Sequence, residues 1–261
     1  MLPTSARVKS YLLFLIVAVI WGIAGPVIKF TLAGFSPLVF LTYRFAISAA
    51  IALVLLTISG LKLPKDLKVI WTVLAYSFLS TTVSLGFLFF GFEKTTALYG
   101  SLISAAGPIL IAIAGVWFLS ERITRRETVG IAIAFSGSIV TVLGPILKNT
   151  GGEAGLLGNI LVLVSVAVGV ATAVLAKKLL RARVPPSTLT HLSFIIGFVT
   201  ILPLTFLGNT PASLISQIKA APLAFHLGVF YMALLSGTTA YWLWHKAQKT
   251  IEIGEGALFA Y

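Results

Sequence analysis

Cysteine is absent from the 261 residues, which excludes disulfides, thiolate metal sites and cysteine nucleophiles. Acidic side chains are scarce too: seven Asp and Glu stand against 19 Lys and Arg. Charged residues make up 10% of the chain, where a soluble globular domain carries about 25%. So few charges do not clothe a water-facing surface of this size. The acids Asp66, Glu93, Glu121, Glu127, Glu153, Glu252 and Glu255 all fall at the ends of apolar runs or between them. Clustered carboxylates for metal-diphosphate chemistry are therefore missing, as is a mid-membrane carboxylate for a proton or sodium relay. Metal-ligand spacing, a phosphate-cradling loop and a nucleophile elbow are missing as well. Neither an enzyme nor a cofactor is expected, and no metal.

Hydrophobic residues make up 58% of the chain and the mean hydropathy is +1.05. A bilayer-embedded chain accounts for both, since most of its surface faces lipid. Runs free of charge mark the crossings. Nineteen residues separate Lys9 from Lys29, 24 separate Lys68 from Glu93, and 26 separate Lys94 from Glu121. Each suffices for about 30 Å of hydrocarbon as a helix of about 20 residues. Two further runs each hold one polar intruder, Arg44 in one and His191 in the other. The sequence thus predicts an all-α polytopic bundle with eight spans, near 11–29, 37–58, 69–91, 96–118, 128–147, 156–177, 187–207 and 223–245. The closing stretch IEIGEGALFAY begins a partial ninth.

Net charge is +12, a value that also suits a nucleic-acid binder. Its distribution argues otherwise. With the N-terminus inside, fourteen Lys and Arg fall in the inner loops and four, Lys29, Lys94, Lys148 and Lys219, in the outer ones. That bias predicts a multi-pass protein of the plasma (inner) membrane with a cytoplasmic N-terminus, and no nucleic-acid partner. Residues 1–10 carry no cleavable signal, so the first span reads as an uncleaved anchor.

The chain also repeats itself. Pro37, Phe45 and Ile47 pair with Pro186, Phe194 and Ile196 at an offset of 149, and Glu93-Lys94-Thr95 pairs with Gln248-Lys249-Thr250 at 155. Five helices per unit is an odd number, so the copies are expected to lie inverted in the membrane. The first unit is expected over 11–147 and the second, incomplete, over 156–261. By the same alignment Tyr261 falls near Ala105, which predicts that roughly 40 residues, with a tenth helix, are missing.

Several stretches carry a family likeness: Trp21-Gly22 followed by Lys29, Pro37 with Arg44-Phe45, and Ala97 to Pro108 running into Ser120-Glu121-Arg122-Ile123-Thr124. With Gly130 and Gly137, these resemble the drug/metabolite transporter superfamily, specifically ten-helix members built from two EamA-type domains. Serine at position 120, where the family commonly has glycine, is a mild departure. The resemblance implies alternating-access export or exchange of small metabolites, with helices 1–4 and 6–9 around a central cavity and 5 and 10 outside it.

Within the spans, Arg44 either faces a cavity or snorkels to the outer interface. If it faces inward, it is the natural counter-charge for a substrate carboxylate or phosphate. His191 aligns within two positions of Arg44 in the second copy, and a structural histidine is favoured over a proton-coupling one. Tyr76, Ser80 and Ser84 step by four along the third span, with Ser165 continuing the idea in the sixth; such stripes line a wet path or bond neighbouring helices. Trp21, Tyr99 and Trp242 are candidates for stacking on a ligand, against an anchor reading at the interface. The expected cavity lining is Trp21, Arg44, Tyr76, Ser80, Tyr99, Ser165, His191 and Trp242. Gly25-Pro26 and Pro108 are expected to interrupt helices at depth. The leading expectation is a secondary transporter of small metabolites such as amino acids. A flippase for a lipid-linked headgroup and a non-transporting structural membrane subunit stand as alternatives.

Overall fold

The computed structural model describes the backbone of residues 4–59, 65–147 and 155–260, and the side chains of these except at 4–5, 59, 134, 138–147 and 260. Lys62, Lys148, Glu153 and Tyr261, used above in the loop, acid and repeat arguments, lie outside the described residues. The fold is all-helical. Helices α1 (Thr4–Thr31), α2 (Pro37–Ser59), α3 (Leu67–Lys94), α4 (Ala97–Leu119), α5 (Arg125–Leu147), α6 (Leu156–Arg181) and α7 (Pro186–Phe206) follow the first seven expected spans. A short helix α8 (Pro211–Ala220) precedes α9 (Leu223–Gln248), the eighth expected span, and α10 (Ile253–Ala257) follows. Among the described residues seven helices, α1 to α4, α6, α7 and α9, are long and apolar enough to cross a membrane. The protein is a multi-pass membrane protein.

Local chemistry sets the helix ends. Pro37, Pro186 and Pro211 open their helices at positions where the missing N–H costs nothing. Asp66 and Thr96 cap α3 and α4 by accepting from the backbone N–H of Lys68 (2.9 Å) and Tyr99 (3.2 Å). The sequence reading did not foresee α8, which begins on a reciprocal box: Ser213 N–H donates to the Thr210 hydroxyl oxygen, and Thr210 N–H donates to that of Ser213. At the far end of α4, Ser120 adopts φ 54° and ψ 33°, the left-handed conformation glycine holds most easily. The family's usual glycine at this point thus has a backbone reason.

Pro26 does not break α1, which runs through it continuously. Helix α4 does break, at Ala105-Ala106, with Pro108 in the first turn of the part that resumes at Gly107. Two interruptions carry no proline. Residues Phe78–Ser84 within α3 and Tyr231–Thr239 within α9 form wide π-helical turns. Such turns strand backbone groups and cluster at functional sites.

Helix α2 packs along α7, the second part of α3 along α6, and α1 along the end of α9. The largest apolar cluster joins Phe40, Phe45, Phe89, Phe92 and Phe194 with Val229 and Met232. Close approach between α3 and α6 depends on glycines: a Cβ on Gly158 would lie 2.6 Å from the Lys94 carbonyl carbon, and one on Gly91 2.6 Å from Val162. Leu12, Ile16, Val19 and Ile23 leave an exposed apolar face on α1, as suits lipid.

Candidate functional site in the helix bundle

Arg44 is 1% exposed, so it points into the bundle and does not snorkel outward. Its Nε and Nη1 are buried without a hydrogen-bond partner. The guanidinium carbon sits 5.5 Å from the Phe89 ring centre and 5.8 Å from that of Phe45. Opposite lies Gly237, within the wide turn of α9, where a Cβ would stand 3.5 Å from Arg44 Nη2 and 3.4 Å from Phe194.

That wide turn is braced by side chains. Ser48, one turn beyond Arg44 on α2, donates to the Ala233 carbonyl (3.1 Å), as does Thr238. The Trp21 indole N–H donates to the Ser236 carbonyl (3.0 Å), while its ring meets Tyr241 edge-on at 5.3 Å. Tyr241 also contacts Phe194 and His245, at 5.7 and 6.2 Å between ring centres. His245 in turn sits between two hydroxyls, Tyr76 at Nε2 (2.8 Å) and Thr190 at Nδ1 (2.9 Å). Its neutral ring has one donor and one acceptor, so one hydroxyl donates to it and the other accepts.

Of the sequence-derived candidates, Trp21, Arg44 and Tyr76 therefore converge, through Tyr241, Gly237 and His245, on one region of the bundle. His191 is buried with Nδ1 unpartnered, next to Thr190 in the chain. Ser80 is buried and bonds back to the Ser77 carbonyl (3.3 Å). Ser165 and Ser84 exchange bonds across the helix pair, each hydroxyl donating to the other's carbonyl, at 2.8 and 3.1 Å. The stripe on α3 bonds different neighbours, Tyr76 reaching His245 on α9 and Ser84 reaching Ser165 on α6, while Thr81 and Thr82 beside it reach Ser193 and Thr200 on α7. Tyr99 is half-buried near the start of α4. Trp242 carries the Lys246 ammonium over its ring at 4.4 Å.

Tyr241, His245, Thr190 and Gly237 were not among the candidates. For three of them the one sequence signal is the spacing of four between Gly237, Tyr241 and His245 on α9; Thr190, on α7, has none. Among the described residues no group of three or more His and acidic side chains is placed to hold a metal ion.

Charged groups collect at the two ends. At one end, Arg7 pairs with Glu255 at 2.7 Å, and Tyr11 also bonds that carboxylate. Glu121 is buried and accepts from Ile253 N–H (3.0 Å) and Gly254 N–H (3.3 Å), capping α10. Its ion-pair partner is Arg181, at 3.4 Å, rather than the neighbouring Arg122, Arg125 or Arg126. Glu252, beside this cluster, has its carboxyl pushed above the usual range by partial burial and by Glu121. At the other end Lys29 donates to the carbonyls of Phe92, Glu93 and Thr95.

The model of the EamA-like transporter family matches residues 8–143 and again 156–261. The chain belongs to that family. Relatives agree. The Bacillus subtilis protein named "Uncharacterized transporter YyaM" is 24% identical over 97% of this chain and 82% of its own. An Archaeoglobus fulgidus protein named "Uncharacterized transporter" is 29% identical over 85% of this chain and 76% of its own. The Escherichia coli protein named "Probable amino-acid metabolite efflux pump" is 24% identical over 90% and 77%. A crystal structure with a TM-score of 0.74 and 14% identity covers 97% of this chain and 84% of its own, which shows the same fold. EamA-like proteins are membrane transporters, and the resemblance drawn from Trp21-Gly22, Arg44-Phe45 and the Ser120 to Thr124 stretch stands.

Proposed function

We propose that this EamA-like protein is a secondary transporter that exports or exchanges small metabolites such as amino acids by alternating access. The observation that carries the reading is the pair of wide turns at 78–84 and 231–239, set about 153–155 positions apart in the third and eighth spans. Paired irregular helices at matching places in two halves are where transporters bind substrate, because stranded backbone groups need a polar partner at depth. In this reading residues 11–147 and 156–261 are two inverted units, and the region between Arg44, Trp21, Tyr76 and Tyr241 is the binding site. The loop charges favour a cytoplasmic N-terminus in the plasma (inner) membrane.

The amino-acid element draws on the Escherichia coli relative's name and on a site that offers one cation amid aromatic rings. Counterflow of labelled amino acids in proteoliposomes tests it. Uptake well above empty vesicles, lowered at least tenfold by Trp21→Ala, is expected. Absence of counterflow for every amino acid, with labelled lipid moving instead, would replace the reading with a flippase.

A further inference from the structure

We propose that Arg44 is an anion site and that it takes the single carboxylate of an organic ligand whose body lies against the rings of Phe45, Phe89 and Phe194. The inference rests on the transport reading for the ligand's fate, but the site is argued from the residues alone.

A guanidinium keeps its charge at any accessible pH and offers five N–H donors in a planar fork. Buried in a membrane helix, such a group ordinarily meets a carboxylate, a set of carbonyls or a wet cavity. Here two of its three nitrogens have no hydrogen-bond partner among the described residues. The described acids are engaged elsewhere or sit outside the bundle. Glu255 pairs with Arg7, Glu121 with Arg181 and Glu93 with Lys94, while Asp66 and Glu127 bond backbone N–H groups at helix starts. Glu252 is exposed at the end of the bundle. The rings of Phe89 and Phe45 stabilise the cation through their faces but accept no N–H bond of normal strength. The donors on Nε and Nη1 are therefore left to something that the described residues do not supply.

The surroundings choose among anions. Among the described residues Arg44 is the one cation of this region, so a carboxylate is neutralised one to one, whereas a phosphate dianion would bring a second charge into an aromatic setting without a partner. Flat rings favour an organic body over a hydrated inorganic ion. Gly237 matters for closeness: a Cβ there would stand 3.5 Å from Nη2 and only 2.8 Å from the Met232 carbonyl oxygen, so glycine lets the wide turn of α9 approach the guanidinium.

The test uses the full chain in detergent, with a panel of N-acetyl amino acids (one negative charge, no ammonium) and their uncharged amides as probes. Equilibrium binding is measured for the native protein, Arg44→Lys and Arg44→Gln. The proposal expects the native protein to hold at least one acid tenfold or more tightly than its amide. Arg44→Gln should abolish that preference, and Arg44→Lys should keep part of it. Melting of the ligand-free Arg44→Gln variant should be unchanged or raised, since an unpaired buried charge has been removed. A lowered melting temperature would mean an internal partner, and overturns the proposal, as does equal binding of acid and amide or no binding of either. Counterflow separates the two readings. Binding of acids without movement of any solute across proteoliposomes sinks the transport reading alone. Movement of solutes unaffected by Arg44→Gln sinks the anion site alone.

Discussion

Lys177 closes the end of α9 as Lys29 closes the end of α3. The Lys177 ammonium donates to the carbonyls of Gln248 (2.7 Å) and Ile251, and the Lys29 ammonium to those of Phe92 and Thr95, both at 2.8 Å. Phe92 and Gln248 lie 156 positions apart, as do Thr95 and Ile251, and the two lysines lie 148 apart. Each lysine thus ends one helix and caps the C-terminus of another, where carbonyls lack partners and the dipole favours a cation. The two caps sit at opposite ends of the bundle, because α6 starts beside Thr95, through Asn159, and carries Lys177 near its other end.

The two lysines differ in exposure, which gives the first prediction. Lys177 is buried, while Lys29 is partly open to solvent. Replacing Lys177 with Met leaves two carbonyls without a partner, at a cost of about 1–3 kcal/mol. Lys29→Met should cost less, because water reaches the carbonyls it leaves. Thermal unfolding in detergent should rank Lys177→Met below Lys29→Met, with the native protein highest. Equal melting for all three would show that neither cap contributes.

The glycines of the α3–α6 contact separate tight from loose sites. A Cβ on Gly158 meets backbone at 2.6 Å, and backbone does not swing aside as a side-chain tip does. Gly158→Ala is expected to force the helices apart and destabilise by about 1–3 kcal/mol, as overpacking does. Gly86, in α3 and also buried, has nothing within 4 Å of its would-be Cβ. There Gly86→Ala should be neutral or slightly stabilising, since alanine favours helix by about 1 kcal/mol. Unfolding of both variants beside the native chain decides it. Similar behaviour would mean that the contact yields.

The spans were legible because apolar length and loop charge are properties of the sequence alone. Trp21, Arg44 and Tyr76 were legible as polar or aromatic side chains at depth. The wide turns of α3 and α9 were not, since a π-helical turn follows from how carbonyls find partners across helices, as Ser48 and Trp21 show at Ala233 and Ser236. Pro26 misled for the mirror-image reason, since it sits inside a continuous helix whose neighbours tolerate the missing bond, whereas Pro108 does mark the break in α4. His245 stands in the basic stretch HKAQK, where nothing in the sequence marks it as buried. Its role depends on Tyr76 and Thr190, which lie 169 and 55 positions away.

Ser120 offers a gain rather than a loss. Its left-handed backbone, φ 54°, costs a non-glycine residue about 1–2 kcal/mol, and its side chain is exposed. Ser120→Gly should therefore raise stability by up to about 1 kcal/mol, after glycine's greater freedom in the unfolded chain is deducted. A melting temperature above that of the native protein is the expected result. A drop would mean that the serine hydroxyl supports the turn before Glu121.

The Tyr76–His245–Thr190 chain predicts a departure from additivity. A neutral imidazole can place its N–H on either nitrogen, so after Tyr76→Phe the ring can still direct that proton toward Thr190. Thr190→Val leaves it Tyr76 in the same way. Each single variant then strands only a lone pair, and each should cost about 1–3 kcal/mol, toward the lower end. In the double variant no tautomer finds an acceptor, and a buried N–H goes unpaired. The double loss should therefore exceed the sum of the single losses by more than the roughly 0.3–0.5 kcal/mol scatter expected of independent sites. Denaturant unfolding of the four proteins in one detergent measures the cycle. Simple addition would mean that His245 already has water at one nitrogen, and that the chain does not act as a unit.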